Sequence, residues 1–321
     1  MSQYIYKGTY NIVNTRYRLI CYASLIGAMI LWSSSFPALK IAFRTYDPVV
    51  VIFGRMAVAC LCFLLFFRYF RSIRLKKGTI KYLVFMAFCE PCLYFIFEAK
   101  ALAYTTASQA GIIAGTLPLL AAVAAHYTLK EHLSRQTVIG LALAIAGSCW
   151  LSVTGQASEN APNPPLGNFL EFVAMICATG YIITLKKLSR FYSPVFLTAT
   201  QVAAGCLFYT PLLLLPSTTL PSEIDIPGLF AVVYLGAFVT IGAYGLYNFS
   251  LSRIPVNQAS VFVNLIPVFT IILGWLILNE QLLPQQYLAA VLILSGIFIS
   301  QGGTISEVPV SNAVKPCSAS K

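Results

Sequence analysis

LAYTTASQAGIIAGTLPLLAAVAAHYTLKEHLSRQTVIGLALAIAGSCWL, residues 102–151, returns with its landmarks in place at residues 251–300, LSRIPVNQASVFVNLIPVFTIILGWLILNEQLLPQQYLAAVLILSGIFIS. At an offset of 149, Gln109, Ala110, Pro118, Leu129, Glu131, Leu133, Gln136, Leu143 and Gly147 meet Gln258, Ala259, Pro267, Leu278, Glu280, Leu282, Gln285, Leu292 and Gly296. Leucine and alanine matches come easily in so apolar a chain, but Glu and Gln are scarce in it. The chain is therefore an internal duplication. The front of each half aligns too, at an offset of 146: Leu39, Lys40, Pro48, Ala57, Cys60 and Leu61 meet Leu185, Lys186, Pro194, Ala203, Cys206 and Leu207.

A chain of 321 residues, 58% hydrophobic and 10% charged, cannot cover an apolar interior with polar surface, so its solvent is a bilayer. The tracts 19–39, 101–125, 136–158, 226–252, 254–279 and 281–306 each exceed the roughly 18 apolar residues of a spanning helix. Further spans are expected in 48–70, 80–103, 168–187 and 191–222, which makes ten helices. The fold expected is thus an all-α integral membrane protein of two five-helix repeats, residues 19–154 and 168–302. A linker at 155–167, an N-terminal segment 1–18 and a disordered tail 303–321 complete it.

The net charge of +11 does not point to nucleic acid, because the basic residues occupy alternate loops. Lys7, Arg16 and Arg18 precede helix 1; Arg68, Arg71, Arg74, Lys76, Lys77 and Lys81 join helices 2 and 3. Lys130 and Arg135 join helices 4 and 5, Lys186, Lys187 and Arg190 join 6 and 7, and Arg253, Lys315 and Lys321 continue the series. By the positive-inside rule that side, with both termini, is cytoplasmic. The loops at 155–167 and 217–225 hold Glu159, Glu223 and Asp225 and no Lys or Arg. Equivalent loops thus carry opposite charge bias, as repeats facing opposite ways require. Inverted repeats are the architecture of secondary transporters. No cleavable signal is expected, since a polar, tyrosine-rich start runs straight into a full-length span.

The stretches GAMILWSSSFPALKIAF in helix 1, FGRMAVA in helix 2, EAKALAYTTASQAGIIAGTLPLLAAVAAHYTLKEHLSRQTVIGLALAIAG across helices 3 to 5, and VNQASVFVNLIPVFTIILGWLILNEQ resemble EamA-type members of the drug/metabolite transporter (DMT) superfamily. The likeness runs from about residue 20 to 302. It implies a ten-helix inverted-repeat transporter of the bacterial inner membrane, an exporter of small metabolites, with a cavity lined by helices 1, 3, 4, 6, 8 and 9.

Ionisable residues inside a span cost roughly 2.5–3.5 kcal/mol each on insertion scales, so each asks for a reason. Glu90 is nine residues past Lys81, about 14 Å along a helix and near the midplane. Tyr94 and Glu98 follow on much the same face. Pro91 removes a backbone donor and clashes one turn back, so helix 3 bends there. Glu90 is either a protonatable carboxylate at the hinge of a moving helix or a neutral group tied to a tyrosine or serine. Arg55 and Glu98 match in depth, about 10 and 8 Å from the outer surface, and are expected to pair. Trp32, Ser33, Ser34, Ser35, Tyr181, Tyr244, Tyr247 and Asn248 are candidates for a solute cavity, the last three sharing a face by spacing. Gln109, Asn257 and Gln258 start helices 4 and 9, as caps or interhelix bonds. Pro118 and Pro267 are expected as paired mid-helix kinks and hinge candidates. Glu131 and Glu280 close helices 4 and 9 ahead of the next helix's positive N-terminus. Lys100 is expected to snorkel outward.

His126 and His132 lack a ligand cluster at metal spacing, so no metal or other cofactor is expected. Cys89 and Cys92 read as small apolar residues flanking a kink rather than a redox pair. The sequon at Asn248 falls within a span. There is no phosphate-binding glycine loop, which leaves proton exchange or the solute gradient as the energy source. The expected function is export of small organic metabolites, amino-acid-like or drug-like, with a solute, protons and membrane lipids as partners, in a monomer or homodimer. The alternatives are an uptake transporter or uncoupled facilitator and, in another class, a polytopic enzyme acting on lipids, which would place His, Asp or Glu clusters at the membrane surface.

Overall fold

The computed structural model describes residues 2–64, 75–129, 134–254, 259 and 262–302. Arg68, Arg71, Arg74, Lys130, Glu131, His132, Asn257, Gln258 and the tail from 303 lie outside the described residues. Within them the chain is all-helical, with a single isolated bridge between Ser158 and Ala161 and no strand. Seven helices are long and apolar enough to cross a membrane. They are α1 (Ser2–Ala42), α3 (Ile80–Tyr104), α4 (Ala107–Thr128), α5 (Arg135–Val153), α6 (Pro164–Leu188), α7 (Pro194–Leu212) and α8 (Ile226–Leu251). Three apolar helices are shorter: α2 (Pro48–Leu64), α9 (Leu265–Leu278) and α10 (Pro284–Gly302). Val153, Leu207, Phe230 and Phe298 are exposed on the outside of the bundle, which suits lipid and not water.

Helix starts follow local capping chemistry. The side chains of Thr106, Ser134, Asn163, Ser193 and Asp225 accept from backbone N–H groups in the first turns of α4, α5, α6, α7 and α8. Proline stands in the first turn of α6, α7 and α8, where no backbone donor is needed. The same rule corrects the reading of Pro118 and Pro267 as mid-helix residues. A turn at Gly115 and Thr116 interrupts α4 and one at Asn264 precedes α9, so each proline sits just inside a new helical start. The breaks come before the prolines, at repeat-equivalent positions.

Packing repeats with the sequence. α1 packs on α8 and α9, and its counterpart α6 packs on α3 and α4. α2 meets α7 and α8, while α7 meets α2 and α3. α4 pairs with α9 and α5 with α10, each with its own counterpart. These last two pairs run antiparallel at backbone distance. A Cβ on Gly147 of α5 would fall 2.7 Å from Ile293 and 3.0 Å from the Ala289 carbonyl. One on Gly296 of α10 would fall 3.0 Å from Ala144 and 2.5 Å from the Gly140 carbonyl. In α4, Gly111 and Gly115 abut Thr270 and Pro267 of α9 in the same descending order. Small residues let lipid-bathed helices approach this closely, where dispersion replaces the absent hydrophobic drive.

Candidate functional site

The site begins at the break in α3. Pro91 supplies no N–H, and the residue before a proline is pushed out of the helical region. Glu90 accordingly has φ −149° and ψ 117°, inside a widened π-type stretch Phe88–Leu93. Such a break frees backbone acceptors where no water can meet them. A stripe on α7 meets them instead: Gln201 Nε2 donates to the Glu90 carbonyl at 3.3 Å, and Tyr209 O–H donates to the Cys92 carbonyl at 2.8 Å. Between them Gly205 leaves room for the Pro91 ring, which a Cβ would approach to 2.7 Å. The spacing of four residues along α7 puts all three groups on one face. α8 has a matching π-type stretch, Leu235–Ala243, where Thr240 accepts from Arg55 Nε at 3.2 Å.

These two widened helices border a central cavity. Its polar wall consists of Trp32, Ser35, Arg55, Glu90, Tyr94, Glu98, Tyr181 and Tyr244, and its apolar wall includes Phe36, Phe95, Leu117, Met175, Ile182 and Ile266. The volume is about 40 Å³, enough for a few waters. Organic ligands need about 300–1,000 Å³, so a solute enters only if the helices part. The hollow has polar and ionisable groups set in a largely apolar lining and lies at the level of the break in α3.

Inside it, Tyr244 O–H donates to Glu90 Oε1, and Tyr94 O–H donates to Glu98 Oε1 at 2.8 Å. Tyr181 O–H donates to Asn248 Oδ1 at 2.6 Å, and Asn248 Nδ2 donates to Thr198 at 2.8 Å. The Trp32 ring packs against Tyr244 and Tyr247, with centroids 5.3 and 4.8 Å apart. Arg55 and Glu98 do not form the expected ion pair. The guanidinium lies over Phe95, 4.2 Å from its centroid, while Nε is held by Thr240. Arg55 Nη1, Glu98 Oε2 and Trp32 Nε1 are buried with no hydrogen-bond partner.

The candidates thus divide into those that line the cavity and those that support it. Trp32, Arg55, Glu90, Tyr94, Glu98, Tyr181 and Tyr244 line it. Tyr247 and Asn248 stand behind the wall. Ser34 faces away, bonded to Tyr234 at 2.6 Å, and Ser35 takes its place at the cavity. Lys100 is exposed, as expected of a snorkelling lysine. Sequence reasoning passed over Glu171 of α6, which is fully buried with neither carboxylate oxygen bonded. Its signal was available: Glu171, Met175, Ala178 and Ile182 recur at helical spacing, and the last three line the cavity. Gly205 and Tyr209 were also missed, although they continue the stripe begun by Gln201.

Both ends of the bundle are latched. Tyr46, just after α1, donates to the Asp225 carbonyl at 3.0 Å and accepts from the Asp225 N–H at 2.8 Å. Its counterpart Tyr192, just after α6, accepts from the Lys76 N–H at 3.0 Å and pairs with Thr79 Oγ1 at 2.6 Å. Asp225 and Thr79 begin α8 and α3, so each half's first loop grips the start of the other half's third helix. Glu280 departs from expectation: instead of facing the following helix it crosses to α4. It accepts from the Ala107 and Ser108 N–H groups at 2.9 and 2.8 Å and from Ser108 Oγ at 2.6 Å. A helix N-terminus presents exactly unpaired donors and a positive dipole end to such a carboxylate.

A multi-helix bundle with an apolar exterior, broken helices and a hollow carrying ionisable groups defines a multi-pass membrane protein. The EamA-like transporter family matches at residues 19–153 and again at 165–301, and the chain belongs to that family. It is 26% identical over 286 residues to the uncharacterized transporter YetK of Bacillus subtilis, covering 87% of this chain and 86% of YetK. An uncharacterized transporter of Archaeoglobus fulgidus is 28% identical over 282 residues, covering 88% and 86% of the two chains. A WAT1-related chloroplastic protein of Arabidopsis thaliana is 24% identical, covering 86% and 68%. One solved crystal structure aligns over 90% of this chain and 99% of its own with a TM-score of 0.63 at 19% identity, a likeness of fold.

Proposed function

We propose that this chain is a secondary transporter that exports small organic solutes bearing both an ammonium and a carboxylate group, of the amino-acid-like kind. The carrying observation is the set of unmet polar atoms around one cavity: two donors, Arg55 Nη1 and Trp32 Nε1, and one acceptor, Glu98 Oε2. Leaving a buried polar group unpaired costs about 1–3 kcal/mol. A zwitterion answers all three at once, its carboxylate to Arg55 and Trp32 and its ammonium to Glu98. The rings of Trp32, Tyr244 and Tyr181 provide the apolar and cation-attracting wall for the rest of the solute.

The transport cycle is alternating access by ten spanning helices in two inverted halves. The antiparallel course of α4 against α9 and of α5 against α10 supports inversion, as does the exchange of packing partners between halves. Tyr46 at the outer face and Tyr192 at the cytoplasmic face are the two closures, opened in turn. The alternation of basic loops supports cytoplasmic termini in the inner membrane of a bacterium. Export is the direction the family resemblance implies. Energy comes from protons, with Glu90 at the α3 break as one protonatable group.

Proteoliposome flux with a panel of L-amino acids and their amides, with and without a pH gradient, tests this reading. Amino acids should move and amides lacking the carboxylate should not. Equal transport of both, or transport of neither, removes the zwitterion reading. Wild-type flux by Glu90→Gln at every pH would take Glu90 out of the coupling path.

A further inference from the structure

Among the described residues, Glu171 is the one buried acid that no step above uses. Its position follows from the close approach of α3 and α6. A Cβ on Gly167 would fall 2.6 Å from Thr105 Cβ and 2.8 Å from the Ala101 carbonyl, and one on Gly180 would fall 2.9 Å from Cys89 Sγ. The two helices run antiparallel between those contacts, so each step along α6 is matched by a step back along α3. Interpolation brings Glu171 level with Glu98 across the interface between the two helices. Both are buried, 0% and 2% exposed. Counting inward from Pro164 and Tyr104, both sit roughly 10 Å from the outer ends of their helices.

The surroundings offer this pair little neutralisation. From α3 itself come Tyr94, bonded to Glu98, and Glu90, about two turns deeper. α2 contributes Arg55, which lines the same cavity as Glu98, with its Nε engaged and its Nη1 without a hydrogen-bond partner. α7 and α8 contribute the hydroxyls of Tyr209, Tyr244 and Tyr247, of which Tyr209 and Tyr244 are committed to α3. α1 contributes Lys40, bonded to the Asn160 carbonyl at 2.6 Å. α4 carries His126 and Tyr127 at its far end, and α5 carries Arg135 and an exposed Cys149. Two carboxylates and one partly engaged guanidinium leave an excess negative charge in a dry interface. Like charges at such a site cannot both remain ionised, and one proton held on either carboxyl removes that repulsion.

We propose that Glu98 and Glu171 form a proton-binding pair, distinct from Glu90, loaded from the outer face and emptied when a solute's ammonium takes Glu98. This rests on the solute reading above for its second half only. The exchange balances: the pair with one proton carries one negative charge, and the pair with both carboxylates ionised and one ammonium bound carries the same. One proton leaves for each ammonium that arrives. Glu98 faces the cavity and Glu171 the helix interface, so the proton and the solute approach from different sides.

Infrared titration of the full chain in lipid vesicles, with no solute, tests the pair directly. Glu90→Gln, which removes the third buried carboxyl, should show a protonated-carboxyl band, and Glu90→Gln/Glu98→Gln/Glu171→Gln should lack it. A band that survives in the triple variant, or no band in Glu90→Gln, overturns the proposal. Should Glu171→Gln not accumulate as folded protein, Glu98→Gln reports the same pair from its other member. Flux of the L-amino-acid panel is the second arm. A gradient of one pH unit supports about tenfold accumulation in a one-for-one exchange. Glu171→Gln should lose that gradient response. If the band behaves as expected but no amino acid moves, the solute reading fails and the proton site stands. If amino acids move and Glu171→Gln keeps the full gradient response, the proton site fails and the solute reading stands.

Discussion

Replacing Gln201 with methionine isolates what holds the broken helix open. The side chain is 4% exposed and methionine is nearly the same length, so packing changes little. What disappears is the donor to the Glu90 carbonyl at 3.3 Å and a weak acceptor to Asn248 at 3.4 Å. The Tyr94 N–H that would serve that carbonyl in a regular helix is instead directed to the carbonyls of Cys89 and Pro91. Glu90's carbonyl then loses its side-chain donor in a buried setting, at a cost of about 1–3 kcal/mol. Asn248 keeps Thr198 at 2.8 Å and adds little to the loss. Thermal unfolding of the purified chain in detergent should therefore show a midpoint several degrees lower for Gln201→Met, with transport reduced alongside. Gln285→Met, on an exposed position, serves as the control and should change stability by less than about 0.5 kcal/mol. An unchanged midpoint and unchanged flux in Gln201→Met would refute the argument that α7 sustains the break.

Arg55→Gln keeps a donor to Thr240 but removes the charge that faces the cavity. Solute affinity should fall by roughly 10- to 150-fold, equivalent to about 1.5–3 kcal/mol for a charged hydrogen bond, read from the concentration dependence of flux. Glu280→Gln cannot accept from two backbone N–H groups and Ser108 as a carboxylate does, and should lose about 1–2 kcal/mol in an unfolding assay. Tyr46→Phe and Tyr192→Phe should act in opposite senses on a cysteine introduced by Ser35→Cys. The first should speed labelling by an impermeant reagent from outside and the second from inside; the same change in both would contradict separate closures.

Much of the architecture was readable because its causes are local. Hydropathy over twenty residues marks a span, loop charge marks a side, and recurring Glu, Gln and Pro mark a duplication, none of which needs a distant contact. The break in α3 was readable for the same reason, since Pro91 acts on its own neighbours. What failed depended on which helix lies opposite. Arg55 and Glu98 were paired by depth alone, but depth does not say which way a side chain leaves its helix. Arg55 turns to Thr240 and Phe95. Glu280 was assigned to the following helix when its partner is α4 in the other half.

From its residues alone this protein is a duplicated helical membrane protein with an acid and a proline set together in one span, because bilayer burial and proline geometry act along the chain. Only the tertiary structure decided that Gln201, Gly205 and Tyr209 receive that break, that three residues with unmet polar atoms line one hollow, and that Glu171 stands level with Glu98. Those outcomes come from the register between helices. Register is chosen by where glycines let two backbones touch, and no local period in either helix encodes it.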